Sequence, residues 1–328
     1  MTHLLEVRDL KKHFVGQSGL FGGSKRSVRA VDGVSFTVDQ GETLGLVGES
    51  GCGKSTLVRT LLYLEAPSGG EVYYDGQRLT EKEAMRLRRQ AQIVFQDPYT
   101  SLPSRMRVRD IIADPLLIHG LADRRSVRAQ VDQLLEDVGL QPEIADQYPH
   151  QFSGGMRQRV GIARALSVQP SLVVADEAVS SLDVSVQSQI LNLFKDLQDR
   201  HNLTYIFVSH DLGVVKYMSH RIAVMYLGKI VELASTEELH TRPLNPYTRA
   251  LLSAIPSIHG DGRQRVRLEG EPPDPGNPPP GCKFHPRCPV AQEICAREVP
   301  ELKDWLPGHA VACHFALTDL ASAKVDDL

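Results

Sequence analysis

The sequence predicts an α/β fold built on a largely parallel sheet. Short apolar runs of strand length alternate with stretches of helical periodicity, as in Leu172–Ala175, 186–200 and Tyr205–Val208. One such run, Thr43–Val47, feeds a glycine-rich loop that opens into a helix. The bulk numbers fit a globular protein: 328 residues, 41% hydrophobic and 23% charged, enough for one large domain and a smaller one.

In chain order, residues 4–8 and 34–38 read as strands, with a Gly/Ser-rich hairpin loop over 16–27. Within that loop Gly19–Gly22 with Lys25 and Arg26 reads as solvated rather than membrane-seeking. After strand 43–47 and its loop, Thr56–Tyr63 continues as a helix. Glu71–Gly76 is a strand and turn, 81–92 a basic helix, and Ile93–Phe95 another strand. From about 107 to 150 apolar residues recur at helical spacing (Ile111, Ile112, Leu116; Val127, Val131, Leu134, Leu135, Val138), predicting a helical insertion in the α/β core. Helix 155–166 follows, then the alternating strands and helix above, then two strands across 221–233 turning at Gly228–Lys229. Residues 236–253 are helical, broken by Pro243 and Pro246. Pro272–Pro280 is a stiff extended linker. The domain reading is a core over 1–255 with its helical part at about 97–165, a Pro-rich linker over 256–281, and a Cys-rich extension over 282–328.

Gly48-x-x-x-x-Gly53-Lys54-Ser55 has the spacing and strand–loop–helix setting of a P-loop. Glu49, Ser50, Gly51 and Cys52 form the loop whose N–H groups close on phosphate oxygens. Lys54 neutralises the terminal phosphates, and Ser55, followed by Thr56, offers a hydroxyl to Mg²⁺. Asp176 and Glu177, at the end of strand 172–175, supply a carboxylate for the metal's hydration shell and a base to polarise water. A second phosphate-seeking helix start lies at Ser153-Gly154-Gly155. Two such starts in one chain point to nucleotide shared between subunits.

Other classes fare worse. A net charge of −3 gives no reason to expect a polyanion partner such as nucleic acid. No apolar stretch is long enough to span a bilayer, and the N-terminus lacks the pattern of a signal peptide, so the expectation is a cytosolic protein. Four of the five cysteines, Cys282, Cys288, Cys295 and Cys313, crowd into the tail, which in a cytosolic protein argues for metal. The spacing is neither a zinc knuckle nor a ferredoxin run, and the residues alone leave zinc and iron–sulfur equal.

On these motifs the chain resembles the ATPase subunits of ABC transporters over roughly residues 4–255, and most closely those of oligopeptide/dipeptide importers. The resemblance implies an ABC ATPase core with an antiparallel β subdomain and a helical subdomain. It also implies roles: Phe14 stacking on adenine, Gln96 sensing Mg²⁺ and the permease, and Ser153, Gly154 and Gly155 forming the signature turn. By the same resemblance Asp183 matches the loop that crosses the dimer interface, and His210 matches the switch histidine at the γ-phosphate. Phe152 and Met156 depart from the usual signature, and Ala178 stands where the family has proline, a change that frees φ and restores an N–H. Importer ATPases of this kind carry a tail like Pro278–Pro289, in some cases holding a [4Fe–4S] cluster, which makes Cys282, Cys288, Cys295 and Cys313 its expected ligands, with zinc the alternative.

The implied assembly has two transmembrane permease subunits, a second related ATPase subunit and an extracytoplasmic peptide-binding protein, with this chain on the cytoplasmic face of the inner membrane. Ile162–Leu166 and Leu182–Val186 look closest to the second ATPase of dipeptide systems and Met156–Val160 more like the first, and the resemblance is read as one to the second. Nickel chelates, glutathione or opines are alternative cargoes. A soluble ABC ATPase acting on nucleic acid would favour a coiled-coil insertion or tandem cassettes, and the sequence has neither.

Overall fold

A computed structural model describes residues 3–15, 27–123, 125–254 and 270–316. The expected hairpin-loop features at Gly19–Gly22, Lys25 and Arg26 lie outside the described residues, as does part of the expected linker.

The chain opens with strands β1 (Leu5–Val15), β2 (Ser27–Val38) and β3 (Thr43–Val47). β1 and β2 are longer than their apolar runs suggest. The pairing of β1 shifts register between Arg8 and Lys11, where Asp9 has φ 46°, and this bulge breaks the alternation that marks a strand in sequence. Helix α1 (Lys54–Leu61) precedes β4 (Gly69–Tyr74), β5 (Gln77–Arg78), α2 (Ala84–Gln90) and β6 (Ala91–Val94). The expected helical stretch resolves into α3 (Pro98–Ser101), α4 (Val108–Ile118) and α5 (Val127–Asp137), then short 3-10 turns and α6 (Gly154–Leu166). Next come β7 (Leu172–Asp176), α7 (Val184–His201), β8 (Thr204–Val208), α8 (Leu212–Met218), β9 (Arg221–Tyr226) and β10 (Lys229–Ser235). Helices α9 (Thr236–Thr241) and α10 (Pro246–Ser253) flank the break at Pro243, and strands β11 (Lys303–Leu306) and β12 (His309–Val311) end the described chain.

The chain divides into two compact units. One comprises the N-terminal residues to Leu4, Val38–Thr43 and Leu79–Ser209. In it β6, β7 and β8 lie parallel with β7 central, paired as Ala91↔Leu172 and Leu172↔Thr204. Both β7 and β8 are buried at every position, the mark of a parallel strand covered on both faces. Phe194 of α7 packs edge-on against Tyr205 and Phe207 of β8.

The other unit comprises Leu5–Thr37, Leu44–Arg78 and the chain from His210 onward. It holds a four-stranded sheet in the order β2-β1-β4-β5, with β1, β4 and β5 antiparallel in turn. It also holds β3 parallel to β9, followed outward by β10, β12 and β11, all antiparallel. The Cys-rich tail therefore contributes strands to a sheet that begins at the glycine-rich loop. Between β10 and β12 the buried Glu232 accepts hydrogen bonds from Leu244 N (2.7 Å) and Asn245 N (3.1 Å), and Nε2 of His309 lies 2.7 Å from it. Asn245 reaches across to the carbonyls of Val231 and Ala312, both at 3.3 Å.

Candidate nucleotide-binding site

β3 is buried at every position and delivers the chain to the glycine-rich loop, whose last glycine is the N-cap of α1. Gly53 has φ 109°, and a Cβ there would stand 2.0 Å from the carbonyl oxygen of Ala30, so no other residue fits. Lys54 is 5% exposed. Its ammonium donates to the carbonyls of Gly48 (2.8 Å) and Glu49 (3.0 Å), which aims a positive charge along the loop. Ser55 follows in the first turn of α1. Cys52 is buried, and burial pushes its thiol above the usual range.

Glu49 is gripped from three sides. Its N–H donates to the Tyr247 hydroxyl (3.0 Å), its carbonyl accepts from Lys54, and its carboxylate takes both terminal nitrogens of Arg287 at 2.9 and 3.1 Å. Those hydrogen bonds hold the Arg287 guanidinium even more firmly protonated than an ordinary arginine. Neither Arg287 nor Tyr247 is legible as part of the site in sequence; Arg287 lies 238 positions from Glu49. Phe14 is 41% exposed, with Lys12 5.0 Å above its ring, and is therefore not a core aromatic. His210, which opens the C-terminal stretch of this unit, is exposed.

The remaining expected residues belong to the other unit. Asp176 closes β7 and is 7% exposed. Glu177 turns the chain with φ 51°; its N–H donates to Val208 O (3.0 Å), and its carbonyl accepts from Ser180 N and Oγ. Ala178 is fully buried behind it. Gln96 is exposed, and its carbonyl accepts from Ser181 Oγ at 3.2 Å. Ser153 caps α6 by accepting from Met156 N, and Gly154 and Gly155 form its first turn. An added Cβ at Gly155 would meet Val186 Cγ1 at 2.5 Å, so close packing on α7 also demands this glycine. The turn before Ser153 is held by Arg157, which donates to Pro149 O (2.7 Å) and His150 O (3.2 Å) and stacks 3.8 Å over Tyr99. Asp183 caps α7 by accepting from Val186 N at 3.0 Å, which lowers its carboxyl below the usual range.

In the tail all four cysteines are free thiols lining one pocket with Phe284, Val290 and Phe315. Burial pushes Cys288 up to about 11, with the three other thiols adding to the rise, and lifts Cys282 in the same direction. Among the described residues no group of three or more His, Cys, Asp or Glu side chains is set to hold a metal ion, so the expected metal centre is not shown. No described helix is long and apolar enough to cross a membrane.

Comparison with known proteins bears on both units. The ABC transporter family matches residues 31–180, and the oligopeptide/dipeptide transporter C-terminal region matches 231–295. The chain is 52% identical to the oligopeptide transport ATP-binding protein AppF of Bacillus subtilis (strain 168), over 95% of this chain and 97% of that one. It is 48% identical to the di/tripeptide transport ATP-binding protein DppF of Pseudomonas aeruginosa (strain UCBPP-PA14), over 96% and 98%. Among solved structures, the dimeric post-hydrolysis state of the ATP-binding cassette MJ0796 bound to ADP and Pi aligns with a TM-score of 0.62 at 27% identity, covering 71% of this chain and 98% of that one. CbiO1 from Clostridium perfringens, part of the ABC transporter complex cbiONQ, aligns at 0.63 and 26%, covering 74% and 92%. The chain belongs to the ATP-binding subunits of ABC transporters, in the branch that carries the oligopeptide/dipeptide C-terminal region.

Proposed function

We propose that this protein is the ATP-hydrolysing subunit of a peptide importer. One observation carries the reading: a P-loop whose Lys54 is buried against the loop's own carbonyls stands in a chain related end to end to peptide-transport ATP-binding proteins. Lys54 and the loop N–H groups bind the phosphates, and Phe14 supports the adenine. Ser55, Gln96 and Asp176 would hold Mg²⁺; hydroxyl, amide and carboxylate oxygens are the hard ligands it takes. When bound, that ion neutralises charge on the phosphate oxygens. Glu177 accepts the proton of the attacking water, and His210 orients the γ-phosphate.

Ser153, Gly154 and Gly155 serve the nucleotide of a partner ATPase, a second related subunit rather than a copy of this chain. Closure of that pair drives two transmembrane permease subunits, which an extracytoplasmic peptide-binding protein supplies. The protein then sits peripherally on the cytoplasmic face of the inner membrane. Dipeptides or oligopeptides are the cargo; nickel chelates, glutathione or opines would use the same machinery. The four tail thiols are assigned to a [4Fe–4S] cluster in preference to zinc. The support is that all four thiols line one pocket with no carboxylate among its residues, and four sulfur ligands are what such a cluster takes.

The test is Glu177→Gln in the assembled transporter. Phosphate release should fall at least about a hundredfold while ATP binding persists. Retained hydrolysis removes Glu177 from its role, and failure of tagged protein to capture a permease removes the importer reading.

A further inference from the structure

The residues flanking the first two tail cysteines are built into the P-loop's support. Between Cys282 and Cys288, Lys283 and Arg287 attach away from the thiol pocket, and Phe284 bridges from it. Lys283 donates to Asp32 Oδ2 (2.9 Å) and to Leu227 O (2.8 Å). Phe284 is 3% exposed and packs with Tyr226 and Tyr247, ring centroids 5.4 and 5.3 Å away. Arg287, its side chain 6% exposed, makes the two-pronged contact to Glu49 and a longer one to the Tyr226 hydroxyl (3.4 Å). Tyr247 of the same aromatic group accepts the Glu49 N–H. The β9–β10 turn adds a further tie, since Gly228 N donates to Cys52 O at 2.7 Å.

Of these contacts, those of Arg287 and Tyr247 converge on Glu49, which together with Gly48 holds the Lys54 ammonium. The Gly48 and Glu49 carbonyls both accept from Lys54, so the orientation of the Glu49 peptide is one of two that set where that ammonium rests. A planar guanidinium on a carboxylate fixes both position and rotation, which a single point charge does not. We infer that Arg287 is a positioning residue for the nucleotide: by clamping Glu49 it holds the P-loop in its phosphate-binding shape, and it makes ATP affinity depend on the Cys-bearing segment. The inference rests on the ATP-binding reading of the P-loop and adds to it the element that controls it. Coupling of this kind is reciprocal, so ATP also stabilises the fold of 282–288.

The experiment titrates the full-length protein with a fluorescent ATP analogue in Mg²⁺, recording the melting temperature of each variant in parallel. Arg287→Ala and Glu49→Gln should each weaken binding about tenfold, the worth of one charge-assisted contact. Arg287→Lys should recover only part of the loss. The double variant should bind no worse than the weaker single, because both remove one interaction. In the assembled transporter Arg287→Ala should raise KM for ATP while kcat stays within about twofold, a split that general destabilisation does not produce. Glu49→Gln keeps the side-chain shape and carries the test if Arg287→Ala does not fold. Unchanged affinity in folded variants, or losses that add in the double, overturns the inference. Lys54→Ala in the same titration separates the two readings. If it alone loses affinity, the clamp falls and the ATP site stands. If it binds as the wild type does, the ATP reading itself falls.

Discussion

Glu232 and His309 meet in the interior, Nε2 to Oε1 at 2.7 Å, with both side chains at most 1% exposed. The pair joins β10 to β12, and the same carboxylate holds the two N–H groups that lead into α10. Replacing Glu232 with Ala strands those donors and the imidazole. The expected cost is about 3 kcal/mol of unfolding free energy, read by denaturant titration. His309→Gln, which keeps a donor, should cost less than half of that.

Gly155→Ala tests whether this glycine serves packing or nucleotide. The added methyl meets Val186 Cγ1, and the expected destabilisation is about 1–3 kcal/mol. Val186→Ala in the same chain makes room and should restore part of that stability. If hydrolysis stays low once stability returns, Gly155 has a separate part in ATP turnover.

Lys283 and Asp32 predict an acid-sensitive contact. Burial works to raise the Asp32 carboxyl, but hydrogen bonding and attraction to Lys283 outweigh it and carry it below the usual carboxylate range. Burial also lowers Lys283, against the help of Asp32. Because the folded carboxyl is depressed, its contribution is fully present above the unfolded value of about 3.9 and is lost as pH falls through the lower folded value. Asp32→Asn should therefore melt below wild type at neutral pH, and the gap between their melting temperatures should close in strong acid.

The tail thiols predict a colour. Protein purified without oxygen should absorb broadly near ~400 nm, the charge-transfer region of iron–thiolate clusters. Cys288→Ser should lose that band. Stoichiometric zinc without iron in metal analysis would refute the cluster.

Legibility in the sequence followed the range of the interactions. β3 and β7 are five-residue strands that carry mostly apolar side chains and are buried throughout, and the sequence places both within a residue of their observed ends. The Gly53–Lys54–Ser55 junction is equally local, because loop spacing and helix start lie in one window. α8 is not legible in the sequence: seven residues capped by Asp211 are too few to display a period. β12 has three residues, and its partner in β10 lies far back along the chain. The Arg287–Glu49 contact joins two motifs that each look complete alone, so nothing near either residue announces the other.

The pairing of β12 on β10 has a consequence for handling the protein. Glu232 and Leu233 are the β10 residues paired with β12, and Lys303 and Asp304 on β11 carry exposed charges beyond them. Cut back to the end of α10, the chain would bare the backbone donors and acceptors of β10 beside a carboxylate without its imidazole. Such an edge recruits strands from other copies. A truncated cassette should therefore precipitate or exchange strands with its neighbours, whereas the full chain, with β12 on that edge, should not.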